Sequence, residues 1–210
     1  MAGDRMTGAY PVPASTVEVR EVVRGSRFIT LVGHAASRDD ALRFVAQLRE
    51  RHPGATHYCW AFNAGAPGST AHVGMSDAGE PHGTAGRPML SALLHSGLGE
   101  VVTASARFYG GVKLGTGGLA RAYGGGAKKA LQVCPTVKKT TWIPVSIKVP
   151  YEVVDRVRHL LGTLDATIGD QSFGAEVTLE AMVPSGQRRA LDGAVAEATR
   201  GRGVVLDQKD

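Results

Sequence analysis

Two glycine-rich loops carry most of the residues that could do chemistry. The first loop, SDAGEPHGTAG, holds Asp77, Glu80 and His82 within six residues. Carboxylates at this spacing suit a general base, or ligands for calcium or magnesium with loop carbonyls completing the shell. The same acids could instead accept hydrogen bonds from backbone N–H groups or pair with Arg87. We favour this structural role.

The second loop, Gly110–Gly118, follows an aromatic strand and precedes a helix. Backbone N–H groups at a helix N-terminus bind anions, Thr116 could cap that terminus, and Tyr109 could stack on a base. A tight strand-to-helix turn with a buried tyrosine and a solvated Lys113 explains the pattern equally well. The residues predicted to bind an anionic ligand are Arg107, Tyr109, Gly110, Gly111, Lys113, Gly115, Thr116, Gly117, Gly118, Arg121 and Lys128, with Asp77, Glu80 and Thr84 from the first loop.

Known nucleotide and metal motifs are incomplete in this chain. Residues 115–120 fit G-x-G-x-x-A, but no acid that could hold a ribose occurs before Glu152. No G-K-[ST] follows Gly110, and no C-x-x-C pair is present. His57 and Cys59 alternate along a strand and do not form a zinc ligand set. The sequence therefore predicts no metal and no cofactor.

The positive charge is concentrated in the middle of the chain. Residues 101–151 contain eight Lys and Arg and no Asp or Glu, whereas residues 1–100 are neutral and residues 152–210 are acidic. Such segregation favours an anionic partner, such as RNA or an acidic protein. Alternatively, acids elsewhere in the fold neutralise these bases.

Composition limits the class of protein. The chain has 210 residues, of which 43% are hydrophobic and 20% charged, as expected for a globular protein. No apolar run approaches the roughly 18 residues of a membrane helix, so we expect no membrane partner. The N-terminal segment lacks the apolar stretch of a secretory signal, and two cysteines form no disulfide framework. A cytoplasmic location is predicted.

Periodicity predicts alternating strands and helices before Pro135. Ser37 should cap a helix with Asp40 as its partner, and Leu42, Val45 and Leu48 should form the buried stripe of that helix. Three consecutive glycines in a later helix predict a close approach to a sheet or a ligand. The predicted elements are strands 17–23, 28–33, 58–62 and 101–109, helices from 37, over 88–95 and from 119, and a long loop over 64–87.

After Pro135 the predicted order is strand, helix, strand, strand, helix, strand. This βαββαβ order is the ferredoxin-like motif. The sequence therefore predicts an α+β protein with two domains, residues 1–135 and residues 140–210. We expect Cys59 and Cys134 to be unpaired, since they lie in different elements.

The two loops also resemble a known family. The runs SDAGEPHGTAGRP and RFYGGVKLGTGGLARAYGG, together with ATHYCWAF, closely resemble the signature of the YigZ/Impact family. The resemblance covers roughly residues 15–207, and His82 departs from it because the family commonly has a small residue there. The resemblance gives two sets of motif positions. Those in the first half are Arg27, His57, Asp77, Glu80, Gly83, Thr84 and Gly86, and those in the second loop and its helix are Tyr109, Gly110, Gly111, Lys113, Leu114, Gly115, Gly117, Gly118, Arg121 and Tyr123.

The resemblance implies a fold and a role in translation. It implies that the first domain is similar to the second domain of ribosomal protein S5 and that the second is ferredoxin-like. Eukaryotic members of the family regulate translation initiation. We therefore expect an RNA- or ribosome-associated regulator of translation, more a binding protein than an enzyme. The alternatives are an enzyme acting on a phosphate-bearing small molecule at the two loops, and an adaptor for an acidic protein. The sequence leaves the oligomeric state open.

Overall fold

The computed structural model describes residues 9–208, which divide into two compact units. The first unit comprises Tyr10–Lys138, and the second comprises the described residues from Lys139 onward together with Ala9. The expected α+β class with two domains is confirmed. Residues 1–8, which contribute to the prediction of no secretory signal, and residues 209–210 lie outside the described part.

The first unit is built on a five-stranded antiparallel sheet. The strand order is β2-β3-β6-β4-β5, and β1 pairs separately with β7. The elements in chain order are β1 (Ala9–Pro13), β2 (Val17–Val23), β3 (Ser26–His34), α1 (Arg38–Arg51), β4 (His57–Asn63), β5 (Val73–Ser76), α2 (Gly86–Leu94), β6 (Val101–Phe108), α3 (Thr116–Val133) and β7 (Thr136–Thr140).

Helices cover both faces of this sheet. Along β3, Phe28 and Val32 pack on the side of α2 and α3, whereas Ile29 and Leu31 pack on the side of α1. Successive side chains of a strand point to opposite faces, so a strand buried on both faces is almost wholly apolar. The central strands are therefore held rigidly, and the loops at their ends are the places where chemistry could occur.

Helix α1 begins as the sequence predicts. The Ser37 hydroxyl accepts a hydrogen bond from the backbone N–H of Asp40 at 3.1 Å. The predicted buried stripe is wrong at one position, because Leu42 is exposed and Phe44 is buried. Residues three and four apart share a helix face, and Phe44 lies on the same face as Val45 and Leu48.

Three short strands were not predicted, and helices α2 and α3 begin two and three residues earlier than expected. β5 lies inside the predicted loop 64–87, and β1 and β7 have only five residues each. These strands are too short for an alternating pattern to stand out. Helix α3 begins at Thr116, three residues before the predicted start at Leu119.

The glycines within α3 allow close packing. A Cβ on Gly126 would stand 2.8 Å from Thr30 Oγ1 on β3, and a Cβ on Gly124 would stand 3.2 Å from Pro88 Cβ on α2. A Cβ on Gly125 would meet no atom within 4 Å. Gly126 therefore allows the close approach to a sheet that the sequence predicts, whereas Gly124 allows close packing of α3 against helix α2.

The second unit has the predicted ferredoxin-like order. Its four strands form an antiparallel sheet in the order β11-β8-β10-β9, and two helices pack on one face. No helix among residues 9–208 is both long and apolar enough to cross a bilayer. The elements are β8 (Trp142–Val149), α4 (Val154–Thr163), β9 (Thr167–Phe173), β10 (Val177–Pro184), α5 (Arg188–Thr199) and β11 (Val204–Asp207).

Two neighbouring substitutions test the packing of α3. Gly125→Ala should raise the free energy of unfolding by roughly 0.5–1 kcal/mol, because alanine favours a helix and the site is open. Gly126→Ala has the same propensity gain but forces its methyl group against Thr30, at a cost of about 1–3 kcal/mol. Thermal unfolding of both variants measures the difference. Equal midpoints would contradict the close contact between α3 and β3.

Candidate functional site

A buried carboxylate connects the first loop to β6 and α3. Glu80 is 8% exposed, and its Oε1 accepts hydrogen bonds from Arg107 Nη1 and from the Tyr123 hydroxyl, both at 2.7 Å. A buried charge is tolerated when it is paired and hydrogen-bonded. Glu80 therefore anchors its loop against the sheet and the long helix.

Arg107 is held on several sides. Its Nη2 donates to Ser26 Oγ at 3.3 Å, and its guanidinium carbon lies 5.7 Å from the Phe28 ring and 5.5 Å from the Tyr109 ring. The Arg107 side chain is buried, with 7% of its surface exposed. Its Nε is buried without a hydrogen-bond partner. Arg107 is thus a buried cation that neutralises Glu80.

Asp77 caps the N-terminus of α2. Its two carboxylate oxygens accept backbone N–H hydrogen bonds from Gly83 at 2.7 Å, Ala85 at 2.9 Å and Gly86 at 2.8 Å. Burial favours the neutral form, but the three backbone donors outweigh it, and the pKa of Asp77 lies below its ordinary value. The carboxylate therefore has the structural role favoured by the sequence.

The buried thiol beside this network is chemically inert. Cys59 Sγ donates to the backbone oxygen of Asp77 at 2.9 Å, and burial raises the pKa of Cys59 to about 12. Burial likewise raises the pKa of Tyr123 above its ordinary value. A thiol that keeps its proton at neutral pH is a poor nucleophile. Cys59 and Cys134 are both free, as predicted.

Both glycine-rich loops line one cleft of about 530 Å³. His57 stands in it with Nδ1 donating to the backbone oxygen of Ala78 at 2.9 Å and Nε2 at 4.0 Å from Glu80 Oε2. A space of this volume is typical of small-ligand sites. The lining residues are Thr56, His57, Glu80, Pro81, Arg107, Tyr109, Lys113, Leu114, Gly115, Thr116 and Leu119.

The entrance to the cleft is positively charged. Gly115, at φ +74°, precedes the first residue of α3, and no side chain caps that helix. Lys113 and Arg121 are exposed and make no ion pair within residues 9–208. Arg121 Nη1 lies 3.5 Å from the place of a Cβ on Gly117, beside the first turn of the helix. Lys113 and the N-terminus of α3 therefore line the cleft, and Arg121 lies beside the first turn of that helix, where the helix dipole also favours anions.

Comparison with known proteins identifies the family. Residues 24–131 match the model described as the Impact N-terminal domain, and residues 147–202 match a domain of unknown function, DUF1949. The IMPACT family member YigZ of Escherichia coli (strain K12) is 40% identical over 193 residues, which cover 92% of this chain and 95% of the relative. The chain belongs to the Impact family. This confirms the resemblance seen in the two loops.

Further relatives of this Impact-family chain span most of its length. A Thermus thermophilus protein described as an IMPACT family member in the pol 5′ region is 39% identical and covers 86% of this chain and 97% of its own. The Bacillus subtilis (strain 168) member YvyE is 29% identical, covering 89% and 85%. A crystal structure of a protein described as hypothetical matches with a TM-score of 0.68 at 38% identity, covering 97% and 98%.

The structure brings only part of the predicted Impact-family site to the surface. Thr84 is buried, and its hydroxyl donates to the Pro81 carbonyl at 2.6 Å, so the prediction of Thr84 on a binding surface needs correction. Asp77 and Glu80 are committed to contacts within the protein, and Lys128 lines a different cleft between α2 and α3. The predicted residues that line the cleft between the two glycine-rich loops are Arg107, Tyr109, Lys113, Gly115, Thr116 and Glu80.

The second loop also departs from the prediction in detail. Thr116 is the first helical residue and makes no capping hydrogen bond, so the predicted cap is wrong. Gly110 is required for a close approach of two backbones, since a Cβ there would stand 1.9 Å from the carbonyl carbon of Gly25. Gly111 and Gly117 are exposed, and Gly118 is half-buried. The backbone of the loop is therefore closely packed at Gly110, whereas Gly111 and Gly117 are accessible.

Sequence reasoning missed two polar residues of the site, Ser26 and Thr56, and gave His57 only as a family motif position. Ser26 Oγ accepts from Arg107 and from the backbone N–H of Gly110, while Thr56 Oγ1 accepts from the backbone N–H of Tyr109. His57 pairs directly with Arg107 across β4 and β6. Ser26 and Thr56 each lie two residues before a predicted strand, and Thr56 and His57 belong to the ATHYCWAF run that resembles the family. Among residues 9–208 no three His, Cys, Asp or Glu side chains gather as a metal set.

Removal of the charge on Glu80 should destabilise the whole first unit. Glu80→Gln leaves the Arg107 guanidinium buried without a counter-ion, and we expect a loss of about 3–5 kcal/mol in the free energy of unfolding. Asp155→Asn, which breaks the exposed pair with Arg158, is the matched control and should change little. Denaturant unfolding measures both. Comparable small losses would show that the buried pair is not the anchor.

The Asp77 cap makes stability depend on acid pH. Because the folded pKa is lowered, the contribution of Asp77 is complete above the ordinary pKa of 3.8 and is lost as the pH falls through the folded pKa. Asp77→Asn should therefore be less stable than the parent by about 1–3 kcal/mol at pH 7, and this gap should shrink below about pH 4. Unfolding at several pH values tests this, with the exposed Asp39→Asn as control. A gap independent of pH would contradict the charged cap.

Proposed function

We propose that this protein binds single-stranded RNA at the cleft between its two glycine-rich loops and thereby regulates translation in the cytoplasm. One observation carries the proposal: an exposed aromatic ring, an unpaired lysine and an uncapped helix N-terminus line the same cleft. These are the groups that hold a base and a phosphate.

The phosphate would lie at the first turn of α3. The backbone N–H groups of the first turn have no acceptor within the helix, and the helix dipole favours an anion there. Lys113 and Arg121 add two charges that no carboxylate in the described part of the chain neutralises. In contrast, Arg107 and Lys129 are paired with Glu80 and Glu21, so only part of the central basic stretch is available.

The base would stack on Tyr109. This ring is 49% exposed, and the Arg107 guanidinium lies against it, 5.5 Å from the ring centre. A cation fixed beside an aromatic ring holds the ring in place, and base stacking on such a ring tolerates any sequence. The expected specificity is therefore for single strands rather than for a particular base order.

Membership of the Impact family supports a role in translation. Eukaryotic members regulate translation initiation, and this chain shares the Impact N-terminal domain over residues 24–131. An RNA ligand would place the protein on the ribosome or on messenger RNA. An acidic protein could pair with the same cations, but the exposed Tyr109 ring in the cleft favours a ligand with a base that can stack on it.

A second candidate is an enzyme that acts on a phosphate-bearing small molecule. The cleft favours it, because loops 77–86 and 110–118 line one concave space. The two acids that would act as its base or metal ligand do not favour an enzyme, because Asp77 caps α2 and Glu80 is neutralised by Arg107. His57 would be the group left to move a proton in the cleft.

Salt dependence and three substitutions test the RNA proposal. Neutralising about four phosphates on a single strand should give a slope of log K against log salt of roughly −3. Lys113→Ala and Arg121→Ala should each reduce the slope magnitude by somewhat under one unit. Tyr109→Ala should weaken binding by about 1–3 kcal/mol through lost stacking, with the slope unchanged. Fluorescence titration of a labelled single strand at several salt concentrations measures these values.

The exposed Arg156 on α4 is the matched control for Arg121, and Arg156→Ala should leave the slope unchanged. Absence of RNA binding up to about 100 µM protein in low salt would refute the proposal, because non-specific binders commonly reach that affinity. Binding of a mononucleotide with the same response to Tyr109→Ala, without RNA binding, would favour the second candidate.

A further inference from the structure

The sheet of the second unit has one covered face and one open face. Val145, Ile147 and Val149 of β8 are fully buried against α4 and α5, whereas Trp142 and Lys148 on the same strand are exposed. Side chains of a strand alternate between faces, so the even-numbered residues of β8 lie on the side away from the helices. No helix or strand among the described residues of this unit lies over that side.

The open face is apolar across three adjacent strands. Trp142 of β8 is 40% exposed, Met182 of β10 is 41%, and Val204 and Leu206 of β11 are 51% and 43%. The register places Met182 opposite Pro144 and Leu206 opposite Ser146, so these side chains form one patch. Single exposed apolar residues are common, but a contiguous patch indicates an interaction surface.

The same face holds an unsatisfied acid and an unpaired base. Glu180 Oε1 accepts from Ser146 Oγ at 3.0 Å, but its Oε2 is buried without a hydrogen-bond partner. Lys148 is exposed and makes no ion pair within residues 9–208. Glu180 as a whole is half-buried on this face, so a cation of another molecule could approach its carboxylate from the open side.

We propose that this face is the interface of a homodimer. A two-fold axis sets the same surface of two copies against each other, so a self-complementary face is required. Here each copy would offer Lys148 to the Glu180 of the other, while Trp142, Met182 and Leu206 exclude water around the two ion pairs. Because the face carries both Lys148 and Glu180, a second copy supplies the opposite charge for each of them. A partner of a different kind would need its own acid and base at matching positions. RNA is disfavoured, since Glu180 repels phosphate.

The size of the face indicates a weak dimer. Strands β11, β8, β10 and β9 have four, eight, eight and seven residues. At about 3.4 Å per residue and about 4.8 Å between strands, their open face covers roughly 440 Å² on each copy. Two copies would bury about 900 Å², which is typical of weak and transient interfaces. The dimer should therefore form only at high protein concentration.

Sedimentation of the full chain at concentrations from about 1 to about 500 µM tests the dimer, since this range spans micromolar dissociation constants. Leu206→Glu places a charge in the apolar patch and should abolish association. Phe173→Glu is the control, because Phe173 is also exposed on the same sheet but lies beside Tyr151, opposite Val177 on the helix-covered side. Circular dichroism confirms that each variant is folded.

Charge reversal tests the proposed pairing directly. Lys148→Glu and Glu180→Lys should each weaken dimerisation by at least about tenfold, because like charges then face each other. The double variant should recover most of the loss, since the exchanged charges again meet their opposites. A parent chain that stays monomeric at every concentration overturns the proposal. A dimer insensitive to Leu206→Glu, or a double variant without recovery, places the contact elsewhere and also overturns it.

Discussion

The buried pair of Glu80 and Arg107 is the interaction on which the first unit depends. The carboxylate draws one loop inward, the guanidinium belongs to the central strand β6, and the Tyr123 hydroxyl adds the long helix α3. A charge in an apolar interior must be neutralised. Removal of either partner would leave the other as an uncompensated buried charge, which is strongly destabilising. The network thereby determines where both glycine-rich loops stand.

This arrangement separates structural charges from those available to a ligand. Asp77 is committed to the N-terminus of α2, and Arg107 to Glu80, although both looked like functional groups in the sequence. Lys113 and Arg121 stand beside the uncapped N-terminus of α3, where the helix dipole also favours anions. The candidate site therefore lies in the second loop, and the acids of the first loop have a structural role.

Regular elements were predicted well where their signals are local. Ser37 begins a helix because its hydroxyl accepts a hydrogen bond from the backbone N–H only three residues away. The βαββαβ order follows from the alternation of apolar and polar residues within each strand. The short strands β1, β5 and β7 escaped prediction, since four or five half-exposed residues carry no clear period. The sequence named Tyr109 and Lys113 as binding residues but did not predict that they line a cleft, and it did not recognise that Thr84 is buried.

By itself, the sequence determined the α+β class, the ferredoxin-like second unit, the central concentration of positive charge and the family. These features depend on residue type, period and local spacing. Only the tertiary structure decided that Arg107 is a counter-ion, because its partners lie 27 residues away at Glu80 and 81 residues away at Ser26. It likewise decided that Glu180 and Lys148 share an open sheet face. Whether a charge is buried, paired or free depends on contacts between distant segments, which local patterns do not encode.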